Sequence, residues 1–262
     1  MTVKFYKYQG TGNDFVMIDN RIDTGITKKH TGLVKRLCDR KFGIGADGLI
    51  LLNLTNGYDF EMVYFNSDGN ESTMCGNGGR CLIKFAHDLG VITDKCSFLA
   101  IDGPHDGAIL SDGVISLKMK DVNGLEHYTN NAVILNTGSP HIVNFVSDVV
   151  GTDIVTEAKK IRYNERFARE GINVNFVEEI SEREIYVRTY ERGVEGETLS
   201  CGTGVVASSL ALADKNQSGI TSVDIETPGG KLKVKFERAA EGYKEVYLIG
   251  PAERVFEGSI EI

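Results

Sequence analysis

No stretch of this chain approaches the roughly 20 consecutive apolar residues of a membrane span. No long apolar run follows the early lysines Lys4 and Lys7, so neither a transmembrane helix nor a signal peptide is expected. Cysteine is scarce: five among 262 residues is an odd number, too sparse for a disulfide scaffold, and it lacks the paired C-x2-C spacing of zinc sites. Reduced thiols in a cytoplasmic compartment are therefore expected. Positive charge is in deficit, with 29 Lys and Arg against 37 Asp and Glu and a net charge of −8. That balance argues against nucleic acid and acidic membrane surfaces as partners, since both call for basic patches. Proline is rare, 4 against 30 glycines, which predicts many tight turns between short strands. No low-complexity segment or long linker interrupts the chain. What remains is an ordinary globular composition, 41% hydrophobic and 25% charged, long enough for one large core or two moderate ones.

Against this background one pattern occurs twice. Glu71-Ser72-Thr73-Met74-Cys75-Gly76-Asn77-Gly78 and Glu197-Thr198-Leu199-Ser200-Cys201-Gly202-Thr203-Gly204 both read Glu, Ser or Thr, two variable positions, Cys, Gly, one variable position, Gly. Each copy leads into a run able to form a helix, and the two cysteines lie about half the chain apart. Two similar halves follow, each offering a thiol at the mouth of a helix.

Read in order, residues 3–8 and 14–19 are expected as strands around the turn Gly10-Thr11-Gly12-Asn13. Helical spacing runs from about Thr27 to Arg40. Strands are expected at 49–52 and 58–65, a helix at 76–89 with Gly90 as its C-cap, and short strands through 97–119. Asp121-Val122-Asn123-Gly124 marks the domain boundary. Beyond it come strands at 132–136 and 142–146 around the turn Gly138-Ser139-Pro140-His141, then a helix at 153–162. Strands at 173–177 and 185–190 lead to the second Cys-Gly motif. The helix after Cys201 is apolar nearly all round and must be wrapped on every side, by strands at 222–226, 231–236 and 244–249. The fold class is α+β, in two pseudo-symmetric halves. Each is a curled, barrel-like mixed β-sheet around a central α-helix, with the active site expected in the cleft between them. The halves are 1–120, with a C-terminal strand at 253–262 returning to it, and 121–252.

A helix begins with unpaired N–H groups and about half a positive charge. A cysteine there is more acidic than an ordinary thiol, and the glycines after it let the backbone approach an anion such as a carboxylate. Two such thiols flanking one carboxylate would place a base on one face of the adjacent carbon and an acid on the other. One thiolate removes the α-proton, the opposite thiol returns one, and the stereocentre inverts. The exposed helix ends would also stabilise the charge growing on the carboxylate. No motif in the chain calls for a metal or for pyridoxal phosphate, and no cofactor is expected. A single Cys-Gly pair would more often be a buried cysteine beside a turn. Duplication accounts for the repeated glycines and glutamates but gives no reason for a thiol at both positions, so the catalytic reading is preferred.

Several motifs, taken in order, resemble the diaminopimelate epimerase family. They are Gly12-Asn13-Asp14-Phe15, Gly43-Ile44-Gly45-Ala46-Asp47, Phe65-Asn66-Ser67-Asp68-Gly69, Cys75 to Cys81, Pro140-His141, Tyr190-Glu191-Arg192-Gly193, Cys201 to Gly204 and Pro228-Gly229-Gly230. The resemblance spans about residues 5–230. It implies a cofactor-independent enzyme interconverting LL- and meso-2,6-diaminopimelate in lysine and peptidoglycan precursor synthesis, commonly a homodimer. It also implies Cys75 and Cys201 as the acid/base pair, with Gly76, Asn77, Gly202 and Thr203 binding the reacting carboxylate. Asn13, Asn66, Asn173, Glu191 and Arg192 would hold the substrate, Arg192 gripping the distant carboxylate, and His141 would lie near the reacting centre. Two positions depart from the family pattern: Gly48 where Gln is frequent, and Ser139 where Asn is frequent.

Other residues have plainer readings. Asn13 and Asn66 suit turns on backbone grounds, and Glu191-Arg192 could be a surface ion pair. His30, His87, His105 and His127 read as surface residues, Cys38 and Cys96 as structural, and Cys81 as packing. Glu71 and Glu197 are expected to stabilise the positive helix ends. Two alternatives stand beside the epimerase: a proline or hydroxyproline racemase using the same two-thiol logic, and a non-catalytic amino-acid-binding or redox-switch protein. The racemase substrate has no distant head group for Arg192 and Asn66 to hold.

Overall fold

Short runs of Val, Ile, Phe and Tyr bounded by Gly-rich turns form strands, and two Gly-led segments form the long helices. The computed structural model describes residues 1–22, 24–217 and 219–262. It comprises two compact units, Met1–Leu117 with Gly250–Ile262, and Lys118–Ile249. These limits precede the expected ones by three residues. Met119 N–H donates to Val246 O at 2.8 Å, and Val122 and Tyr243 exchange two bonds of 2.8 Å, which ties this segment to the second unit.

The first unit contains β1 (Thr2–Gly10), β2 (Asn13–Asp19), α1 (Thr31–Cys38), β3 (Gly48–Asn53), β4 (Phe60–Asn66) and α2 (Gly76–Asp88). It continues through β5 (Lys95–Ala100), β6 (Gly103–Ile109) and β7 (Ile115–Lys118). Its sheet runs β1 to β7 in order. The steps are antiparallel, parallel, antiparallel, parallel, antiparallel and antiparallel. A parallel step needs a crossover, and α1 and α2 supply the two. The C-terminal strand, Glu253–Glu261, adds antiparallel to the outer edge of β1.

The second unit repeats this plan with β8 (Glu126–Thr129), β9 (Ala132–Asn136), β10 (Pro140–Phe145), α3 (Ile154–Arg162), β11 (Asn173–Ser181) and β12 (Glu184–Glu191). After these come β13 (Gly196–Thr198), α4 (Gly202–Asn216), β14 (Ser222–Thr227), β15 (Gly230–Arg238) and β16 (Tyr243–Gly250). The C-terminal strand of the first unit is thus β17. From β9 through β10, β11, β12, β14 and β15 to β16 the steps repeat those of β1 to β7 in sense and order. α3 and α4 fill the crossovers, and β8 on β9 matches β17 on β1.

Each long helix is the core of its unit. In α4, Gly204 to Ala213 are buried without interruption, against β9, β10, β11, β12, β14 and β15. Two serines survive there because Ser208 and Ser209 donate to the carbonyls of Gly204 and Val205, both at 2.8 Å. The first turn of α2 lies close to its surroundings. A Cβ on Gly78 would stand 3.0 Å from Ile50 Cδ1, and one on Gly79 would stand 2.9 Å from Leu117 Cδ2. The shorter helices cover satellite cores: α1 packs Val34 and Leu37 with Val16, Leu49 and Phe65, and α3 packs Ile154 and Ala158 with Val174 and Phe176.

Several expectations need correction. The helix expected from Thr27 begins at Thr31, because Thr27 N–H bonds to His30 Nδ1 and His30 N–H to Thr27 O. The turn expected through His141 ends earlier, and Pro140 opens β10 at a strand's first residue, where proline is tolerated. Likewise Asn13 opens β2 instead of lying in the turn, whose positive φ angles fall on Thr11 and Gly12. His105 is buried, with Nε2 3.2 Å from Asp102 Oδ1 and its ring stacked on Phe98. Strands β8 and β13 were not expected: β8 is wholly exposed and β13 spans three residues, so neither carries a hydrophobic pattern.

Candidate active site

Cys75 and Cys201 occupy the same local position. Each is the N-cap of its unit's central helix in extended conformation, with φ and ψ of −95° and 129° for Cys75 and −113° and 112° for Cys201. Each carbonyl accepts the first helical hydrogen bond, from Gly79 N–H at 2.7 Å and from Val205 N–H at 2.9 Å. Gly76 and Asn77, like Gly202 and Thr203, are thus the first two residues of a helix, whose N–H groups have no acceptor within it. Cys75 is half-buried and Cys201 is buried.

Around Cys75 the first unit gathers Asn13 and Asn77. The Cys75 thiol lies 3.7 Å from Asn13 Oδ1, which also accepts from Asn77 Nδ2 at 3.3 Å. Asn13 Nδ2 donates to Asp47 Oδ2 at 2.7 Å, and Arg40 Nη2 grips Asp47 Oδ1 at 2.8 Å. Arg40 also forks onto both oxygens of Asp14, at 2.7 and 3.0 Å, and the buried Lys7 ammonium meets Asp14 at 2.7 Å. Burial acts to raise the Asp14 pKa, but hydrogen bonds from Arg40 and Lys7 outweigh it and hold the carboxyl down at about 2. Arg80 is wholly buried and spans Thr11 Oγ1, Gly76 O and Pro251 O at 3.2–3.3 Å, fixing the start of α2 against the β1–β2 turn. Asn66 ends β4 opposite Gly48, with its side chain exposed.

Around Cys201 the second unit gathers Thr203, His141, Asn173 and Arg192. Thr203 Oγ1 is 3.5 Å from Cys201 Sγ and 2.9 Å from His141 Nε2. His141 is fully buried and its pKa falls to about 3, first from burial and then from the charge of Arg192, so the imidazole is neutral. Asn175 Nδ2 donates to Ile142 O at 3.0 Å and faces His141 Nδ1 at 3.1 Å, while Thr189 Oγ1 donates to Asn175 Oδ1 at 2.9 Å. Asn173 Nδ2 donates to Ser139 Oγ at 2.8 Å and Pro140 O at 3.1 Å, and its Oδ1 accepts from Arg192 N–H at 2.8 Å. The Arg192 guanidinium rests on Glu170 O at 3.0 Å, and Glu191 closes β12 half-exposed.

The two departures from the family pattern have local explanations. Ser139 supplies the hydroxyl that Asn173 uses. A side chain at Gly48 would put its Cβ 2.6 Å from both Phe65 O and Tyr64 Cε2, so there is no room for one. The two glutamates of the repeat make ion pairs, and neither helix start has a side-chain capping hydrogen bond. Glu71 pairs with Lys28 at 2.7 Å, and Glu197 accepts a two-pronged grip from Arg188 at 2.7 and 2.8 Å, a stronger arrangement than a helix dipole offers. Cys38, Cys81 and Cys96 are buried thiols, each pushed up to about 12 by burial. Sequence reasoning missed Asp47 and Asn175 as neighbours of the site, and Thr189 and Arg80 as its supports. Asp47 and Arg80 both sat within quoted motifs, and Asn175, polar between the apolar Val174 and Phe176, was a further legible sign.

This duplicated α+β architecture is shared at fold level with two solved structures. A Bacillus anthracis phenazine biosynthesis protein of the PhzF family superposes with a TM-score of 0.75 at 15% identity, over 100% of both chains. A hydroxyproline epimerase from Agrobacterium vitis superposes with a TM-score of 0.66 at 12% identity, covering 99% of this chain and 92% of that one. Sequence narrows the class further. The family model for diaminopimelate epimerase matches residues 5–123 and 133–255. Diaminopimelate epimerase from Flavobacterium psychrophilum is 50% identical over 258 residues, covering 98% of this chain and all of that one. The Aquifex aeolicus enzyme of that name is 37% identical over 277 residues, covering 98% of each. The chain belongs to the diaminopimelate epimerase family.

Proposed function

We propose that this protein interconverts LL- and meso-2,6-diaminopimelate without a cofactor, with Cys75 and Cys201 as a paired base and acid. The observation that carries this reading is the occurrence of a thiol at the same helix-capping position in both units. In one direction one sulfur takes the α-proton as the other delivers a proton to the opposite face of the same carbon; in reverse the roles exchange. Gly76, Asn77, Gly202 and Thr203 present helix-start N–H groups to the α-carboxylate and stabilise the charge that grows on it as the proton leaves. Asn13, Asn66, Asn173, Glu191 and Arg192 hold the remainder of the substrate, with Arg192 on the distant carboxylate. His141, neutral and buried, supports the Cys201 side. The protein would act in the cytoplasm as a homodimer, on the route to lysine and peptidoglycan precursors.

The decisive experiment incubates freshly reduced protein with diaminopimelate in D2O. Exchange of one α-hydrogen together with inversion at that carbon is expected, with no turnover of proline or hydroxyproline. A fresh, reduced preparation showing neither exchange nor inversion would rule the reading out.

A further inference from the structure

The two thiols meet side chains of opposite hydrogen-bonding character, and the difference can be followed outward from each sulfur. Asp47 accepts from Asp14 N–H at 3.3 Å and from Arg40 at 2.8 Å, so it is a carboxylate that can only accept. The group that Asn13 presents to it at 2.7 Å must therefore be the NH2. The Asn13 carbonyl oxygen is thereby turned toward Cys75, where it also receives Asn77 Nδ2. Cys75 thus faces an acceptor, which favours a sulfur that has kept its hydrogen.

The second unit shows the reverse. Asn175 Oδ1 receives Thr189, and its NH2 reaches the Ile142 carbonyl, a pure acceptor, so Asn175 cannot be flipped. The His141 Nδ1 facing that NH2 is therefore an acceptor, and in a neutral imidazole the hydrogen then resides on Nε2. Asn173 also approaches Nε2, at 3.5 Å, but its two amide hydrogens are committed to Ser139 and Pro140. His141 Nε2–H donates to Thr203 Oγ1, which leaves the Thr203 hydroxyl hydrogen available to Cys201 Sγ at 3.5 Å. Cys201 thus faces a donor, and a donor stabilises the thiolate.

Resting on the proposed epimerase reading, we infer that in the unliganded protein Cys75 keeps its proton and Cys201 is the thiolate. Asp47 and Asn175 are the positioning residues that impose this polarity, through Asn13 and through His141 and Thr203. The free protein is therefore ready to take a proton with Cys201 and to give one with Cys75, so the two epimers do not meet equivalent forms of it.

The test treats freshly reduced full-length protein with limiting iodoacetamide at about neutral pH and maps the label by peptide mass spectrometry, since the thiolate is the nucleophile. Cys201 is expected to carry the label ahead of Cys75, although Cys201 is 7% exposed and Cys75 is the more open of the two. Access alone would give the opposite order. Thr203→Val, at a half-exposed position, removes the donor and should shift the ratio toward Cys75 by about tenfold or more, with Thr203→Ser restoring it. Asp47→Asn releases the Asn13 amide and should raise labelling of Cys75. Thiolate ultraviolet absorbance gives a second readout: it should persist in Cys75→Ala and vanish in Cys201→Ala, since burial keeps Cys38, Cys81 and Cys96 protonated. Labelling of Cys75 first, or a ratio indifferent to Thr203→Val, overturns the polarity. If α-hydrogen exchange in D2O persists alongside such a result, only the polarity fails; loss of exchange in the unmodified protein removes the epimerase reading itself.

Discussion

Thr189 Oγ1 donates to Asn175 Oδ1 at 2.9 Å, and Gly204, in the first turn of α4, leaves just enough space for that bond. A Cβ on Gly204 would stand 2.5 Å from Asn175 Oδ1 and 3.3 Å from Thr189 Oγ1. Gly204→Ala should therefore displace Asn175 and loosen His141 behind it. A loss of about 1–3 kcal/mol in urea unfolding is expected, the usual range for overpacking, together with reduced epimerisation. An unchanged midpoint would show that α4 can move aside.

Removing either sulfur should leave the fold intact and stop the chemistry. Cys75→Ala and Cys201→Ala are each expected to lower turnover by at least about 10²–10⁴-fold, the range for a positioned proton-transfer group. Substrate binding should change little. Kinetics paired with calorimetric titration of diaminopimelate would check both halves, and substantial turnover in either variant would contradict the two-base scheme.

The distant carboxylate gives a different signature. Arg192→Ala should raise KM by about tenfold or more, as expected for the loss of a charge-assisted hydrogen bond. Unchanged affinity would show that another group holds that end of the substrate.

His141 makes stability depend on pH. In the unfolded chain it takes up a proton below its ordinary value of 6.5, whereas the native protein resists until about 3. The unfolded state binds the proton in that window, so native stability is fully present above pH 6.5 and falls as the pH drops. The slope should approach about 1.4 kcal/mol per pH unit. Chemical denaturation across that range should show the slope, and His141→Gln should flatten it.

Lys7 tests the charged network behind Asn13. Its ammonium and the Asp14 carboxylate are 2.7 Å apart with side-chain exposures of 7% and 17%, and Lys7 also reaches the Gly45 carbonyl. Lys7→Ala leaves Asp14 with Arg40 as its remaining cationic partner among the described residues. Because Arg40 still holds both Asp14 oxygens, a loss of about 1.5–3 kcal/mol is expected, as for one hydrogen bond to a charged group. Thermal unfolding monitored by circular dichroism would measure it.

Much of this protein was legible along the chain because the relevant physics is local. A helix that follows Cys-Gly-x-Gly announces its start, and its apolar perimeter announces that it will be enclosed; α4, buried from Gly204 to Ala213, meets that expectation. Repetition of the eight-residue motif foretold a repeated fold, and the matching order of parallel and antiparallel steps in the two units is its consequence. Strands without a hydrophobic alternation left no such mark, which is why β8 and β13 were invisible.

Hydrogen-bond polarity belongs to the other category. Which way an asparagine amide turns, or which nitrogen of a histidine carries the hydrogen, depends on partners far away in sequence: Asp47 for Asn13, Asn175 for His141 and Thr203 for the imidazole's other face. The residues that offer thiols are fixed by chain order. The surroundings that distinguish one thiol from the other arise only when β2 and the loop before β3 in the first unit, and β10, β11 and the start of α4 in the second, bring those partners within about 3 Å, because hydrogen bonding is short-ranged and directional.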